Sequence, residues 1–171
     1  VADVLDWASE VDVAVIPYGG GSSVCGGVEP DVGTPGRGVI SLDMEALAGL
    51  IDLEVTDRAA RFAAGTYGPA VNDALRPHGL TLRHFPQSFE FSTVGGWVAC
   101  RGAGQFSTRY GKIEDLVVGL DVVLADGTLI STGGAPRAAQ GPDLSQLFVG
   151  SEGTLGVIVG VHLRARPLPA A

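Results

Sequence analysis

A glycine-rich loop directly after the first apolar run carries the strongest chemical signal in this sequence. The run Val13–Ile16 leads into residues 17–28, which contain five glycines and the pair Ser22-Ser23 but neither Asp nor Glu. Consecutive glycine amides can form a concave row of N–H donors that binds an anion, and serine hydroxyls add further donors. The loop therefore predicts a phosphate-binding site, with an ordinary tight connection as the alternative interpretation.

The standard nucleotide-binding motifs do not fit this loop. A dinucleotide fingerprint that begins at Gly19 has Val24 where its third glycine is required. A phosphate loop that spans Gly21 and Gly26 continues with Gly27-Val28 instead of Lys-Ser/Thr. The loop thus predicts an anion site of another type.

A positively charged segment follows in the middle of the chain. Between Ser92 and Ile113 there is no carboxylate, and there are three cations: Arg101, Arg109 and Lys112. Ser92, Thr93 and two glycines stand at the start of a predicted helix, where backbone donors and the helix dipole favour an anion. The alternative is a solvated face on which the cations pair with Glu114 and Asp115.

A third glycine-rich segment has the sequence GSEGTLGVI at residues 150–158. It predicts a tight turn into a strand, and by itself a plain helix-to-strand connection explains it equally well. A serine hydrolase elbow at Ser151 is excluded because Val149 stands where a glycine is required. The chain has 26 glycines in 171 residues, roughly twice the usual frequency. Three such loops together favour an anionic ligand that approaches the backbone closely.

The composition excludes several other classes of protein. A net charge of −8 and a pI near 4.7 remove any general attraction to nucleic acid or anionic membranes. No apolar run reaches the ~18 residues of a membrane span and no secretory leader is recognised, so a cytoplasmic location is expected. Cys25 and Cys100 are too few for a disulfide framework. The spacing of His78, His84 and His162 does not fit a helical zinc site, and no metal is expected.

The elements that must position these loops follow an order typical of an α+β fold. Apolar periodicity predicts helices that begin at Val1, Gly68, Thr93 and Pro142. Predicted strands cover residues 13–16, 39–42, 50–55, 60–64, 116–124, 128–131 and 155–163. A buried early strand and later hairpins combine parallel and antiparallel organisation. Because the first residue already lies in a helix, the chain is expected to be a fragment that lacks a preceding strand.

Five segments resemble the FAD-binding domain of the vanillyl-alcohol oxidase/PCMH flavoprotein superfamily, over nearly the whole chain. In chain order they are PYGGGSSV at 17–24, SFEFSTVGGWVACR at 88–101, YGKIEDLVV at 110–118, GPD at 141–143 and GSEGTLGVI at 150–158. Phe89-Glu90-Phe91 and Gly96-Trp97-Val98 favour the alkyldihydroxyacetonephosphate synthase branch over the lactate and glycolate dehydrogenases, which usually have Gly-Asn at Gly96-Trp97.

The resemblance implies an α+β fold of two subdomains, residues 1–54 and 55–171, with FAD extended between them and a C-terminal cap domain absent from the chain. The residues that it implies at the pyrophosphate are Tyr18, Gly19, Gly20, Gly21, Ser22, Ser23 and Val24. Those implied along the pyrophosphate, ribityl and ring region are Gln87, Ser88, Phe89, Glu90, Phe91, Ser92, Thr93, Cys100, Arg101, Gly102 and Ala103. Those implied at the adenine end and ring edge are Glu152, Gly153, Thr154, Leu155, Gly156, Val157 and Ile158.

Some positions depart from the family pattern. Gln87 stands where Asp is usual, Cys100 where Thr is usual, and Gly102-Ala103 where Ala-Ser is usual, so side-chain donors are lost while backbone contacts stay. The first loop has no histidine, and the resemblance therefore implies noncovalent FAD. The acid/base residues of the family belong to the cap, so no catalytic residue is assigned, and His84 and Tyr110 are interpreted as structural.

The implied function is that of the FAD-binding part of an alkyldihydroxyacetonephosphate-synthase-like flavoenzyme, which exchanges the acyl group of acyl-dihydroxyacetone phosphate for a fatty alcohol at flavin N5 in ether-lipid synthesis. One alternative is an FAD-linked oxidase or dehydrogenase of a 2-hydroxy acid or alcohol. The other is an isolated nucleotide-binding module without activity. The implied partners are FAD and a small-molecule or lipid substrate held by the absent cap, without nucleic acid. A homodimer and peripheral membrane attachment stay open for the full-length protein.

Overall fold

Helix α1 and a parallel strand pair begin the fold in the computed structural model, which describes residues 1–31, 33–134, 139 and 141–169. Their bounds are α1 Ala2–Glu10, β1 Ala14–Tyr18 and β2 Val39–Asp43. Leu5 and Ala8 of α1 are buried, as the apolar spacing predicts. Strands β1 and β2 run parallel, so their carboxyl ends lie side by side at Tyr18 and Asp43. The first glycine loop leaves the sheet at this edge.

Most of the remaining strands join one antiparallel sheet. The bounds are β3 Leu50–Glu54, β4 Ala59–Ala63, β5 Leu80–Thr81, β6 Val117–Val123, β7 Leu129–Gly133, β8 Val157–Arg164 and β9 Arg166–Pro167. Five of them form a sheet in the order β3-β4-β8-β6-β7, while β5 pairs with β9. Both predicted hairpins form, β3 with β4 and β6 with β7. The long strand β8 enters between the two hairpins and joins them.

The helices lie between these strands in the chain. Their bounds are α2 Gly68–Leu75, α3 Val94–Ala99, α4 Ser107–Tyr110, α5 Ile113–Leu116 and α6 Ser145–Phe148. A 3₁₀ turn, Arg76–His78, continues α2 and ends at Gly79, whose φ of 68° lies in the left-handed region that favours glycine. Within the described ranges, no helix has the length and apolarity needed to cross a membrane.

A few predicted boundaries are wrong, each for a physical reason. Pro17 lies inside β1 rather than beyond its end, since an edge strand tolerates a residue that lacks an amide hydrogen. Leu116 ends α5 instead of opening β6. The elements α4, α5, β5 and β9 are missed, because two to four residues are too few to show a periodicity.

The apolar core joins the large sheet to helices α2 and α3. Phe62, Leu120 and Leu163 of the sheet are fully buried, as are Leu75 of α2 and Val98 of α3. This mixture of a parallel pair, an antiparallel sheet and packed helices confirms the predicted α+β class. The predicted subdomain boundary after residue 54 passes between β3 and β4, which are hydrogen-bonded neighbours.

Candidate functional site

Close backbone contacts bring the three glycine-rich segments together. A Cβ at Gly20 would overlap the carbonyl oxygen of Phe91, so only glycine allows the first loop to approach the second segment. A Cβ at Gly27 would lie 3.1 Å from Glu152 Oε2, which places the first loop beside the third. Segments that are distant in sequence thus form the rim of one cleft.

The wall of this cleft consists mainly of backbone and small side chains. The residues expected at the site that line it are Gly19, Gly20, Gly21, Ser22, Ser23, Ser88, Ser92, Thr93, Cys100, Gly102, Glu152, Gly153, Gly156 and Ile158. The other expected residues lie outside its lining: Tyr18, Val24, Gln87, Phe89, Glu90, Phe91, Arg101, Ala103, Thr154, Leu155 and Val157. The lining residues that were not named individually as cofactor contacts are Pro17, Gly27, Val28, Met44, Ala64, Pro86, Gly95, Gly96, Trp97 and Ala99. Seven of them lie inside the segments 17–28 and 88–101 already singled out and Pro86 lies just ahead of the second, whereas Met44 and Ala64 carry no signal in the sequence.

The amides of residues 20–24 are the feature of the cleft best suited to an anion. Within the part of the chain that the structure describes, none of these amides donates a hydrogen bond to a protein acceptor. Gly21 has a φ of 62°, and a left-handed residue in such a loop makes neighbouring amides converge. Residues 17–28 contain no carboxylate that would repel the anion. The loop therefore offers the donors that a phosphate requires.

The amides at the start of α3, in contrast, have protein partners. Their hydrogen bonds run from Val94 to Thr66 O at 2.9 Å, from Gly95 to Ala64 O at 2.8 Å and from Gly96 to Thr93 Oγ1 at 3.3 Å. The Ser92 hydroxyl is also occupied, because it donates to Ser88 O at 2.8 Å. The amides of Val94, Gly95 and Gly96 are therefore not free to bind an anion, and the predicted role of Ser92 and Thr93 stays a prediction.

Two of the three cations in the second segment pair with a neighbouring carboxylate. Lys112 Nζ lies 3.3 Å from Glu114 Oε1, and Arg101 Nη1 lies 3.9 Å from the same atom. Arg101 Nη2 also donates to Val149 O at 3.0 Å. For these two cations the pairing interpretation is confirmed. Arg109 forms no ion pair within the described ranges and does not line the cleft; its guanidinium lies over the Tyr110 ring.

The third loop closes the other end of α3. The amides of Gly150 and Glu152 donate to the carbonyls of Val98 and Ala99, each at 3.0 Å. Carbonyls in the last turn of a helix lack partners within it; the loop supplies the donor for Ala99 O and a second one for Val98 O, which also accepts from the Arg101 amide. The carboxylate of Glu152 accepts the Cys100 thiol at 3.8 Å. Among the described residues that line the cleft, Glu152 is the only acid.

Two side chains of types that often react in enzymes are held in their neutral forms. They are Cys100, which lines the cleft, and His84, which packs against the lining residue Trp97. Burial raises the pKa of the Cys100 thiol, and the Glu152 carboxylate raises it further. Burial lowers the pKa of His84 to about 4, and its ring packs edge-on against Trp97 with centroids 5.1 Å apart. Cys25 and Cys100 are both free thiols. The described ranges contain no group of three His, Cys, Asp or Glu side chains arranged to hold a metal.

An α+β frame with free loop amides and a wall of small residues defines a domain that can hold an extended phosphate-bearing cofactor. The chain belongs to the FAD binding domain family, whose model matches residues 1–133. FAD is therefore its cofactor, and the free amides of residues 20–24 fit the phosphates of that molecule.

Relatives of known sequence and structure include both synthases and oxidoreductases. The chain is 38% identical to the alkyldihydroxyacetonephosphate synthase of Caenorhabditis elegans over 99% of its own length and 28% of the synthase. It is also 38% identical to an uncharacterised FAD-linked oxidoreductase of Escherichia coli, over 96% of this chain and 33% of that protein. A solved structure of alkyldihydroxyacetonephosphate synthase superposes with a TM-score of 0.89 at 33% identity, over all of this chain and 30% of the synthase. The chain thus spans about a third of its relatives or less.

Proposed function

We propose that this chain is the FAD-holding part of an alkyldihydroxyacetonephosphate-synthase-like enzyme. The observation that carries the proposal is the likeness to this synthase in both sequence and structure, with all of the chain superposed at a TM-score of 0.89. The enzyme would exchange the acyl group of acyl-dihydroxyacetone phosphate for a fatty alcohol. When bound, FAD supplies the reactive N5 atom, and this chain supplies binding and orientation.

The residues of the cleft would divide the work of holding FAD. The free amides of residues 20–24 would donate to the pyrophosphate, and the loop itself contains no acid that would repel it. Gly96, Gly102 and the other small residues of the wall let flat groups approach the backbone. The Glu152 carboxylate suits a hydroxyl or amino group of the cofactor, because it would repel a phosphate. The proposal also includes the other residues that the family resemblance implies as FAD contacts.

The arrangement of two subdomains around FAD also belongs to the proposal, with a revised boundary. Strand β3 hydrogen-bonds to β4, so the division suits the connection between Asp43 and Leu50 better than residue 54. The first unit would then consist of α1, β1, β2 and the first glycine loop. This division makes the free amides the contribution of one unit and α3 the contribution of the other.

We expect FAD to be bound without a covalent link. No histidine is among the described residues that line the cleft, and the pKa of the Cys100 thiol is raised, which disfavours the nucleophilic thiolate. Acid precipitation of the full-length protein should therefore release the yellow colour into the supernatant. Colour that stays in the pellet would contradict a noncovalent site, and its loss in Cys100→Ser would then identify the linkage.

A second candidate function is the oxidation of a 2-hydroxy acid. It is favoured by the 33% identity to the glycolate oxidase subunit GlcD of Bacillus subtilis and the 34% identity to the mitochondrial D-lactate dehydrogenase of Arabidopsis thaliana, each over 99% of this chain. These values are close to those for the synthases, and the chain covers 35% and 29% of the two proteins. The identity of the absent part of the enzyme decides between the two functions.

One experiment separates the two functions. The full-length, FAD-loaded protein is incubated with acyl-dihydroxyacetone phosphate and a labelled fatty alcohol, and separately with lactate or glycolate and a dye acceptor. Incorporation of the label into an ether lipid without dye reduction supports the synthase. Dye reduction by a hydroxy acid without label incorporation overturns it in favour of the oxidoreductase.

A further inference from the structure

Three arginine side chains converge on the ring of Tyr110, away from the cofactor cleft. The guanidinium carbons of Arg166, Arg109 and Arg83 lie 5.2, 5.4 and 6.0 Å from the centroid of this ring. Arg83 also lies 5.8 Å from the ring of Phe106. None of these four residues lines the cleft between the glycine loops. We call Arg83, Arg109, Arg166 and Tyr110 the arginine cluster.

The arginine cluster has no anionic partner among the residues that the structure describes. The ion pairs found in the described ranges involve other cations, and none includes Arg83, Arg109 or Arg166. The Nε atoms of Arg83 and Arg166 are shielded from water and have no hydrogen-bond acceptor there. A buried donor without an acceptor is costly, and a charged one more so. The cluster therefore contains guanidinium donors that lack an acceptor, and a negatively charged acceptor would satisfy them best.

Backbone geometry fixes the positions of two of these arginines near Tyr110. Arg83 has a φ of 58°, a left-handed conformation that is unusual for an arginine. Arg166 lies on β9, which pairs with β5 two residues before Arg83, and its Nη2 donates to the Tyr110 carbonyl at 3.2 Å. Like charges repel, so a fixed group of three cations is disfavoured unless an anion joins them. The net charge of −8 makes this concentration of positive charge stand out further.

A surface cavity adjoins the arginine cluster and offers room for a ligand. Tyr110 and Arg166 line it together with Arg58 and Arg164, which add two more cations. Asp57 is the only carboxylate among the described lining residues, and it forms no ion pair with any of these arginines. The cavity is thus an open pocket with a strongly positive wall.

We propose that the arginine cluster binds a phosphate group at a site separate from the FAD cleft. A phosphate dianion presents several terminal oxygens, and the planar fork of a guanidinium donates to two of them at once. A phosphate dianion matches the charge of three guanidinium groups better than a carboxylate ligand with a single negative charge does. The phosphate can belong to a free phosphate compound or to the head group of an anionic lipid, since both present the same chemistry.

The test uses the full-length, FAD-loaded protein and a charge-matched pair of variants. Arg109→Gln/Arg166→Gln removes two cluster cations, of which Arg166 lines the cavity, and Arg37→Gln/Arg76→Gln removes two exposed cations elsewhere. Binding of inorganic phosphate is measured by calorimetry at constant ionic strength. Binding to phosphatidylcholine vesicles with and without phosphatidic acid is measured by sedimentation. The flavin absorbance of each variant checks that the FAD site is intact.

The wild-type protein should bind one of the two phosphate sources, and the cluster variant should lose about tenfold or more in affinity for it. The control variant should stay within about twofold of the wild type, since it has the same net charge. Binding of inorganic phosphate assigns the site to a soluble ligand, and binding of phosphatidic acid vesicles alone assigns it to a lipid head group. Absence of both, or an equal loss in the control variant, overturns the proposal.

Discussion

The indole Nε1 of Trp97 donates a 2.6 Å hydrogen bond to Ser92 Oγ, and both side chains are buried. The same hydroxyl donates to the carbonyl of Ser88 at 2.8 Å, so helix α3 is tied to the loop that precedes it. Trp97 and Ser92 also line the cofactor cleft. This pair therefore fixes the shape of one cleft wall from within the core.

Replacement of this hydroxyl should destabilise the fold. Ser92→Ala leaves the indole N–H buried without an acceptor, and we expect the free energy of unfolding to fall by about 1–3 kcal/mol. The measurement is urea unfolding of the full-length protein with FAD bound. In the double variant with Trp97→Phe the donor is absent as well, so the two losses should fall short of additivity by about 1 kcal/mol. Strictly additive losses would show that the hydrogen bond contributes nothing.

The close approach at Gly20 gives a sharper test of the loop arrangement. In Gly20→Ala the added Cβ overlaps the backbone carbonyl of Phe91, which cannot move aside without disturbing the second segment. We expect a loss of about 2 kcal/mol or more in stability, together with weaker FAD binding. Gly102→Ala is the matched control for stability in the absence of FAD, because the atoms nearest its Cβ would be Trp97 O at 3.4 Å and His84 Nε2 and Trp97 Cα at 3.7 Å, all at ordinary contact distance. Thermal unfolding of both variants should separate them, and equal melting temperatures would contradict the described packing.

The charge of the first loop should control FAD affinity. Ser22→Asp introduces a carboxylate among the free amides, where it would repel the pyrophosphate and compete for its donors. We expect FAD affinity to fall at least about tenfold, an effect that weakens as salt is added. Ser22→Asn has nearly the same size without the charge and should bind FAD almost as the wild type does. Fluorescence titration of FAD gives both values, and a similar loss in both variants would rule out the electrostatic account.

Burial of His84 should make the protein sensitive to mild acid. The unfolded ring takes up its proton near pH 6.5, while the folded ring does so only near a pKa of about 4. The unfolded chain therefore binds more protons between these values, and native stability falls as the pH drops from 6.5 to 4, by about 3 kcal/mol. His84→Gln should flatten the stability curve in this range. An unchanged slope in unfolding experiments at several pH values would refute this assignment.

The polar cluster around Asp121 should affect the stability of the fold at a lower pH than His84 does. Asp121 is 4% exposed and accepts hydrogen bonds from Ser131 Oγ at 2.6 Å and Arg61 Nη2 at 2.9 Å. Burial alone would raise the pKa of Asp121, but these two partners and the neighbouring His162 outweigh it and lower the pKa below 3.8. The carboxylate thus stabilises the fold above its ordinary pKa, and this contribution is lost as the pH falls through the lower folded value.

Asp121→Asn tests this contribution. At pH 7 the variant should be about 1–3 kcal/mol less stable, less than for a fully buried ion pair because Arg61 is half exposed. Below about pH 4 the wild type should approach the variant in stability, while the change between pH 4 and 6.5 that we attribute to His84 should persist in both. A constant difference down to pH 2 would show that ionisation of Asp121 does not stabilise the fold.

The sequence predicts the parts of the site that depend on local composition. The anion-binding character of the amides of residues 20–24 can be predicted, because residues 17–28 contain five glycines and no acid. The α+β class and the two hairpins also follow from local apolar patterns. These features need no knowledge of which distant segments meet.

The remaining parts depend on long-range contacts that leave no local pattern. Nothing in the sequence near Gly95 indicates that its amide donates to Ala64 O, and this hydrogen bond removes a donor that the start of α3 would otherwise offer a ligand. Pairing of Arg101 and Lys112 with Glu114 was one of two open alternatives, and only the fold decides it. The approach of Arg83 and Arg166 to Tyr110 requires the pairing of β5 with β9, two strands too short to predict.

The position of β8 between β4 and β6 also determines the order in which parts of the sheet can form during translation. The two flanking hairpins can form as soon as each leaves the ribosome, but they share no strand until residues 157–164 emerge. The third glycine loop lies directly ahead of that strand, so this side of the cleft is completed only after both hairpins have been made. A nascent chain that stalls before residue 150 therefore holds the first glycine loop and both hairpins but lacks the third glycine-rich segment of the cleft.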